Sequence, residues 1–422
     1  MTQAMAATTA DRFAEMASTR PRCFWLDAGP GDGTTRRPIM GALRDDDVSL
    51  TYDAARREVH RHAGGEAGLV GTDIFTVLED ELARTPPDEI WVGYLGYACR
   101  PDLPARARPS GQPAMPDAIW MRTRHVTPVD PPASPAAGPA RHRPTRPAGE
   151  TPDAYTGAFD EVQRELRAGN TYEVNLTHRI EVQDDVDPAV AYLRLRDLNP
   201  APYAGFIQHH DFRLLSSSPE RYATIDRDRM IETRPIKGTT PRGRSTAEDD
   251  ELRRDLASNP RFRAENLMIV DLLRNDLAMV CEPGSVTVPS LMAVESYASV
   301  HQLVTTVRGR LRDDVTGVGA LRALFPAGSM TGAPKLRTME IIGRVETTAR
   351  GVYSGAFGWI APDGRADLGV VIRSLTTTGD GSWELGTGGG ITIHSTAEDE
   401  YAETGWKAER LLRVFGTPLP GD

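Results

Sequence analysis

Cysteine is scarce in this 422-residue chain. Its three cysteines, Cys23, Cys99 and Cys281, lie far apart, with no Cys-x-x-Cys pair and no Cys/His spacing of a metal site. No disulfide framework is therefore expected, and a reducing compartment is. Long apolar runs are missing too, so no membrane-spanning helix is expected. Met1-Thr2-Gln3-Ala4-Met5 has no basic stretch leading into an apolar core, which argues against a secretory signal and for a cytoplasmic protein. Positive charge is in deficit, with 49 Lys and Arg against 59 Asp and Glu and a formal net charge of -10. A nucleic-acid binder would usually show a basic face, so that class is set aside. There is no internal repeat.

Two glycine-rich stretches also fail as nucleotide motifs. Gly386-Thr387-Gly388-Gly389-Gly390-Ile391 carries Ile391 where a dinucleotide fingerprint would have its third glycine. Gly328-Ser329-Met330-Thr331-Gly332-Ala333-Pro334-Lys335 puts Ala-Pro between glycine and lysine, unlike a P-loop. The first reads as a loop whose bare backbone offers N–H groups to an anion.

At this length one large or two modest domains are expected. Residues 1–125 read as a β-rich N-terminal region packing onto the rest, with a strand candidate at 89–97. Residues 126–152 read as a linker or surface excursion, because eight prolines fall between Val126 and Asp153 with little else apolar. Residues 153–422 then form the main body. Helical periodicity starts at Tyr155 and runs to about Gly169, after which strands and helices alternate without a regular βα rhythm.

Two helices carry candidate chemistry. Asn259-Pro260 supplies a capping residue followed by proline at the first helical position. The helix behind it is apolar on most sides, which predicts burial, and Glu265 enters near its start. A second helix, at 397–412, spaces Glu400, Glu403 and Lys407 at i, i+3 and i+7 on one face. Alone, the two glutamates read as a solvated acidic face. With Glu265 they could hold a hard cation such as Mg²⁺, which takes one or two carboxylates and completes its shell with other oxygens.

Lys237 stands in Arg234-Pro235-Ile236-Lys237-Gly238-Thr239-Thr240-Pro241-Arg242, a stiff backbone that fixes the angle of an amine. Burial or nearby cations lower an amine's pKa and make it a nucleophile, and Arg234 and Arg242 lie close in sequence. Arg373 sits in what reads as a buried strand at 368–375, where a charge needs a carboxylate or an anionic ligand. A strand at 351–360 adds Tyr353 as a hydroxyl donor. Cation, arginine, lysines and backbone donors together describe a site for a small dianion.

These residues fall in six ordered motifs: Ser218-Pro219-Glu220-Arg221; Arg234 to Thr239; Glu265-Asn266-Leu267-Met268-Ile269-Val270-Asp271; Phe325-Pro326-Ala327-Gly328-Ser329; Gly332-Ala333-Pro334-Lys335; and Gly388-Gly389-Gly390-Ile391 ahead of Glu400 and Glu403. In this the chain resembles the chorismate-utilising enzymes from about Tyr155 onward, more faintly before. The resemblance implies an α+β chorismate-binding fold like that of anthranilate synthase component I, with large antiparallel sheets packed as a sandwich and helices outside. It further implies that residues 153–422 are the catalytic domain, that Lys237 attacks C2 of chorismate, and that Glu220 is the acid/base for the C4 hydroxyl. Glu265 and Glu403 match Mg²⁺ ligands, with Glu400 reaching the ion through water. Tyr353, Arg373 and Lys407 match carboxylate-holding side chains, aided by the backbone of Gly238, Gly388 and Gly390. Thr239 lies against the substrate ring, and Ser329 stands where threonine is frequent.

Within the family that the chain resembles, a lysine at position 237 implies the C4-aminating branch, making 4-amino-4-deoxychorismate from chorismate and ammonia for p-aminobenzoate supply, in folate or specialised metabolism. No glutaminase constellation is present, so a glutamine amidotransferase subunit is the expected partner. The alternatives are an anthranilate synthase component I-type enzyme aminating C2, or a catalytically silent chorismate-binding homologue. Phe262 and Gln302 depart from residues frequent in relatives, an acidic residue and a histidine.

Overall fold

A computed structural model describes residues 8–29, 37–109, 115–130, 151–297 and 300–416. Among these, strands build two sheets, one of nine and one of twelve, and every pairing is antiparallel. The absence of a βα rhythm is thereby explained, since antiparallel neighbours need no crossover helix.

The two sheets face each other. Phe24 and Leu26 of the strand Arg22–Leu26 enter a shared core with Ile207 and Leu214 of the nine-stranded sheet. Val92, Tyr94, Ile119, Met121 and Phe357 meet them from the twelve-stranded sheet. Their neighbours Cys23 and Trp25 point the other way, toward the helices Thr9–Thr19 and Pro188–Leu198, with Phe13, Tyr192 and Leu195. This period-two alternation buries both faces of the strand, so the segment reads as continuously apolar. Helices Ile74–Leu82, Pro260–Ala278 and Gly317–Leu324 cover the outer face of the larger sheet. The result is the expected sandwich of antiparallel sheets with outer helices.

The N-terminal strands are woven into both sheets. Arg22–Leu26, Ile39–Ala42 and Val126–Pro128 lie in the smaller sheet, while Ser49–Asp53, Glu58–Ala63, Glu66–Gly71, Ile90–Leu95 and Ala118–Thr123 lie in the larger. The proline-rich segment begins as a strand, because Val126–Pro128 pairs with Ile39–Ala42, and its residues 131–150 lie outside the described ones.

Three local expectations are corrected. Residues 386–391 are not a loop but the end of the strand Ser382–Ile391, paired along its length with Glu173–Gln183. The apparent strand at 368–375 is broken: Ala366–Val370 belongs to the larger sheet and Ser374–Thr377 to the smaller, with Arg373 between them at φ 50°. The helix Pro260–Ala278 buries only one face, since Leu267 is 55% exposed. Its cap is as expected, the Asn259 side chain accepting from the N–H groups of Arg261 and Phe262.

Candidate active site

The site lies where the chain passes from one sheet to the other. Glu220 follows the strand Phe212–Ser218 of the smaller sheet and precedes Arg221–Ile225 of the larger. Arg373 makes the reverse passage. The two crossovers run side by side: Val370 N–H donates to the Glu220 carbonyl at 2.9 Å and Ser217 N–H to that of Arg373 at 3.0 Å. Tyr353 lies in the turn before the strand Ala356–Ile360 and not in the strand expected at 351–360, and the next residue makes a third contact, Ser354 N–H to the Val371 carbonyl at 2.9 Å.

Lys237 occupies the strand Ile236–Pro241, which pairs with Val300–Arg310. The register slips between Ile236 and Thr239, a bulge at Lys237-Gly238 that re-aims the side chain. Gly238 has φ +93°, and a Cβ there would also stand 3.0 Å from Phe262. Glycine is therefore required after the lysine.

The Lys237 ammonium forms an ion pair with Glu173, the first residue of the strand Glu173–Gln183 in the opposite sheet. The two side chains are 11% and 1% exposed. Burial works to lower the lysine's pKa, but the charge and hydrogen bond of Glu173, with the charges of Glu265 and Glu220, outweigh it and hold the pKa above its usual value. This reverses the expectation drawn from Arg234 and Arg242. Those arginines are engaged elsewhere, Arg234 by Glu295 and Arg242 by Asp249.

Glu220 is buried and accepts a hydrogen bond from the Ser329 hydroxyl at 2.6 Å. Burial pushes its pKa up to about 7, against the pull of Ser329, Lys237 and Lys407. A carboxyl poised there can give and take a proton at neutral pH.

Glu400 is buried, Glu403 half-exposed and Glu265 half-buried. Arg261 bridges two of them, Nε to Glu265 at 2.9 Å and Nη2 to Glu400 at 2.7 Å. Lys407 holds Glu403 at 2.7 Å and donates to the Gly388 carbonyl at 2.7 Å. Burial raises the pKa of Glu265 and of Glu400, whereas Lys407 lowers that of Glu403. As the side chains stand, no group of three His, Cys, Asp or Glu residues among those described is gathered to hold a metal. A cation nevertheless fits the place: arginine already neutralises two of the carboxylates. A Cβ on Gly389 would lie 3.0 Å from Glu400 Oε2 and 4.0 Å from Glu403 Oε1, so the glycine leaves the space onto which they converge.

The glycine-rich strand is the spine of the site. A Cβ at Gly386 would strike Tyr353 at 2.2 Å, one at Gly388 the Leu176 carbonyl at 2.5 Å, and one at Gly390 Glu173 at 2.1 Å. Lys407 takes the Gly388 carbonyl from the side away from Glu173–Gln183. N–H and C=O of one residue lie on the same side of an antiparallel strand, so the N–H groups of Gly388 and Gly390 also face that free edge. The Arg373 guanidinium, unlike its carbonyl, has no hydrogen bond or ion pair among the described residues. Burial and the neighbouring Arg410 lower its pKa, while Tyr353 and Glu403 oppose that. Thr239 is exposed at the rim, and Gln302 is buried opposite it in the ladder.

Sequence reasoning missed Glu173 and Arg261. Arg261 was detectable, four residues before Glu265 on a helix. Glu173 carried no signal beyond a lone acid opening a buried strand.

With these residues in place, the comparisons with known proteins have a structural meaning. The family model described as chorismate binding enzyme matches residues 23–413, and the chain belongs to that family. An aminodeoxychorismate synthase of Streptomyces pristinaespiralis is 40% identical, over 96% of this chain and 63% of its own length. Aminodeoxychorismate synthase component 1 of Salmonella typhimurium is 43% identical over 61% of this chain and 56% of its own. The chain thus spans less than two thirds of the length of these curated relatives. Among solved structures, anthranilate synthase component I from Streptococcus pneumoniae shares the fold, with TM-score 0.73 and 24% identity over 90% of this chain and 93% of that one.

Proposed function

We propose that this chain is the chorismate-aminating component of an aminodeoxychorismate synthase, converting chorismate and ammonia to 4-amino-4-deoxychorismate in the cytoplasm. The observation that carries the reading is Lys237 Nζ, aimed by its bulge across the gap between the sheets, within reach of a protonatable Glu220. The names of the relatives support it.

In this reading the substrate carboxylates are held by Arg373, Tyr353, Lys407 and the free N–H groups of Gly388 and Gly390. Lys237 in its neutral form adds to C2 of chorismate. The ring double bonds shift, and the C4 hydroxyl leaves as water with the proton of Glu220. Ammonia then adds at C4, the double bonds shift back, and the C2–N bond breaks to free Lys237. Glu220 recovers its proton from the new ammonium group. Glu265 and Glu403, with Glu400 behind them, would hold Mg²⁺, a hard dication that supplies charge for a substrate carboxylate when bound. Anthranilate-type amination at C2 is disfavoured because Lys237 itself claims that carbon.

The nitrogen source is a partner's task. Cys23, Cys99 and Cys281 are all buried, and burial pushes each thiol up, Cys23 to about 12 and Cys281 to about 11. None is suited to be a glutaminase nucleophile. A separate glutamine amidotransferase subunit is proposed to deliver ammonia. The chain should be given chorismate, Mg²⁺ and either ammonium chloride or glutamine. The expected product is 4-amino-4-deoxychorismate, by mass and ultraviolet spectrum, from ammonium alone. Anthranilate as product overturns the regiochemistry, and turnover on glutamine overturns the need for a partner.

A further inference from the structure

We propose that Glu173 is a catalytic residue of this site: it takes a proton from Lys237 Nζ as the amine adds to the substrate and returns it as the amine leaves. The proposal rests on the reading of Lys237 as the nucleophile. Geometry carries it. Glu173 is the group in contact with the reacting nitrogen, and it reaches there from the opposite sheet. One of its oxygens accepts from Lys237, while the other, Oε2, is buried with no hydrogen-bond partner among the described residues. A buried carboxylate serving only to hold a lysine would be expected to satisfy both oxygens. Gly390 leaves the room for the pair, since a Cβ there would lie 2.1 Å from Glu173 Oε1 and 3.1 Å from Lys237 Nζ.

The chemistry requires such a group. An ammonium has no lone pair, and the resting pair keeps Lys237 as one. The other charged groups facing it are Glu220, Glu265 and Glu403, with Lys407 beyond Glu220. Glu220 is engaged by Ser329 and serves the C4 hydroxyl, while Glu265 and Glu403 are held by Arg261 and Lys407. Bound substrate that excludes water disfavours both charges of the Lys237–Glu173 pair, and one proton shift makes both partners neutral. The nitrogen lone pair then forms the bond to C2. When that bond breaks, Lys237 departs as a neutral amine and recovers its proton from Glu173. The pair ends each turnover as it began.

The test uses Glu173→Gln and Glu173→Asp in the full chain. Single-turnover formation of the Lys237 adduct is followed by intact mass, with chorismate and Mg²⁺ but no ammonia, from pH 6 to 9. Because Lys237 lowers the pKa of Glu220, loss of the Glu220 proton is titrated separately in wild type and variant and divided out of their ratio. In Glu173→Gln the amine must lose its proton to bulk water. The rate relative to wild type should therefore drop on the order of 10²-fold at low pH. It should climb by about tenfold per pH unit until the amine's own pKa is passed. Glu173→Asp, which keeps a carboxylate, should be slower than wild type at a constant ratio. A Glu173→Gln ratio that does not change with pH overturns the proposal, as does an unaltered rate. Wild type that forms no adduct would instead defeat the proposed function. Trace acetylation of Lys237 in the free chain then still tests the pairing. Its reactivity should shift to lower pH in Glu173→Gln, and an unshifted profile contradicts the pairing.

Discussion

Two buried lysines of this protein come from glycine- and proline-flanked motifs, and they are used in opposite ways. Lys335 opens the helix Lys335–Val345 and is gripped twice, by Asp276 at 2.6 Å and by the Leu324 carbonyl at 2.9 Å. Lys237 is buried to a similar degree but, among the described residues, gripped once, by a carboxylate whose second oxygen has no hydrogen bond. Burial lowers the pKa of Lys335, with Arg100 adding to it, even against Asp276, whereas around Lys237 the carboxylates prevail. Lys335, held by a carboxylate and a carbonyl, ties a helix start to the end of the helix Pro260–Ala278. Lys237, amid Glu173, Glu220 and Glu265 at the junction of two sheets, is the one proposed as a reagent.

The largest effect that could break this comparison is at the lysines themselves. Lys237→Ala should reduce C4 amination to background while the chain stays folded. Lys335→Ala should leave turnover per folded molecule near normal but lower stability by about 3–5 kcal/mol, as expected for an uncompensated buried charge. Denaturant titration beside product assay would show the pattern, and equal losses of activity would erase the distinction.

Next in size are the carboxylates. Glu265→Gln and Glu403→Gln should each raise the Mg²⁺ concentration for half-maximal rate sharply, since each would lose a charged oxygen ligand. Glu400→Gln should cost roughly 10–100-fold, as for a residue acting through an inner ligand. Small, equal effects in a metal titration would return all three to an ordinary ion-paired surface. Gly390→Ala should cost more activity than Gly389→Ala, because its Cβ meets Glu173 at 2.1 Å while that of Gly389 meets its nearest side chain at 3.0 Å. The last effect concerns Glu220 and touches stability rather than turnover. Its pKa rises from 4.5 to about 7 on folding, so the native state keeps a proton there that the unfolded chain releases. Stability should therefore fall as pH rises from 4.5 to 7, by at most roughly 3 kcal/mol, and level off above. Asp117, which burial pushes up to about 6, adds a decline of its own, so the Glu220 share is read as the difference between wild type and Glu220→Gln in urea melts at pH 5 and 8.

The sequence was most legible where chemistry and local structure coincide. Asn259-Pro260 announced its helix, the 397–412 helix placed Glu400, Glu403 and Lys407 on one element, and Lys237-Gly238 marked the bulge that carries the proposed nucleophile. It was least legible where partners arrive from another sheet. Arg234 and Arg242 are neighbours of Lys237 along the chain, yet its partner Glu173 is 64 residues away. Gly386 to Gly390 read as a loop because glycine carries no alternating side-chain pattern, although close approaches from both faces demand glycine in that strand. Arg373 seemed to lie in a continuous strand because apolar residues flank a switch between two buried sheets as densely as they fill a strand.

The central claim is that Lys237 becomes covalently joined to the substrate. Intact-mass measurement of the chain quenched after incubation with chorismate and Mg²⁺, without ammonia, tests it most directly. The account predicts a mass increase equal to chorismate less water, located by peptide mapping on Lys237, absent in Lys237→Ala and discharged by added ammonium. Normal formation of 4-amino-4-deoxychorismate by Lys237→Ala, with no adduct on the wild-type chain, would contradict it.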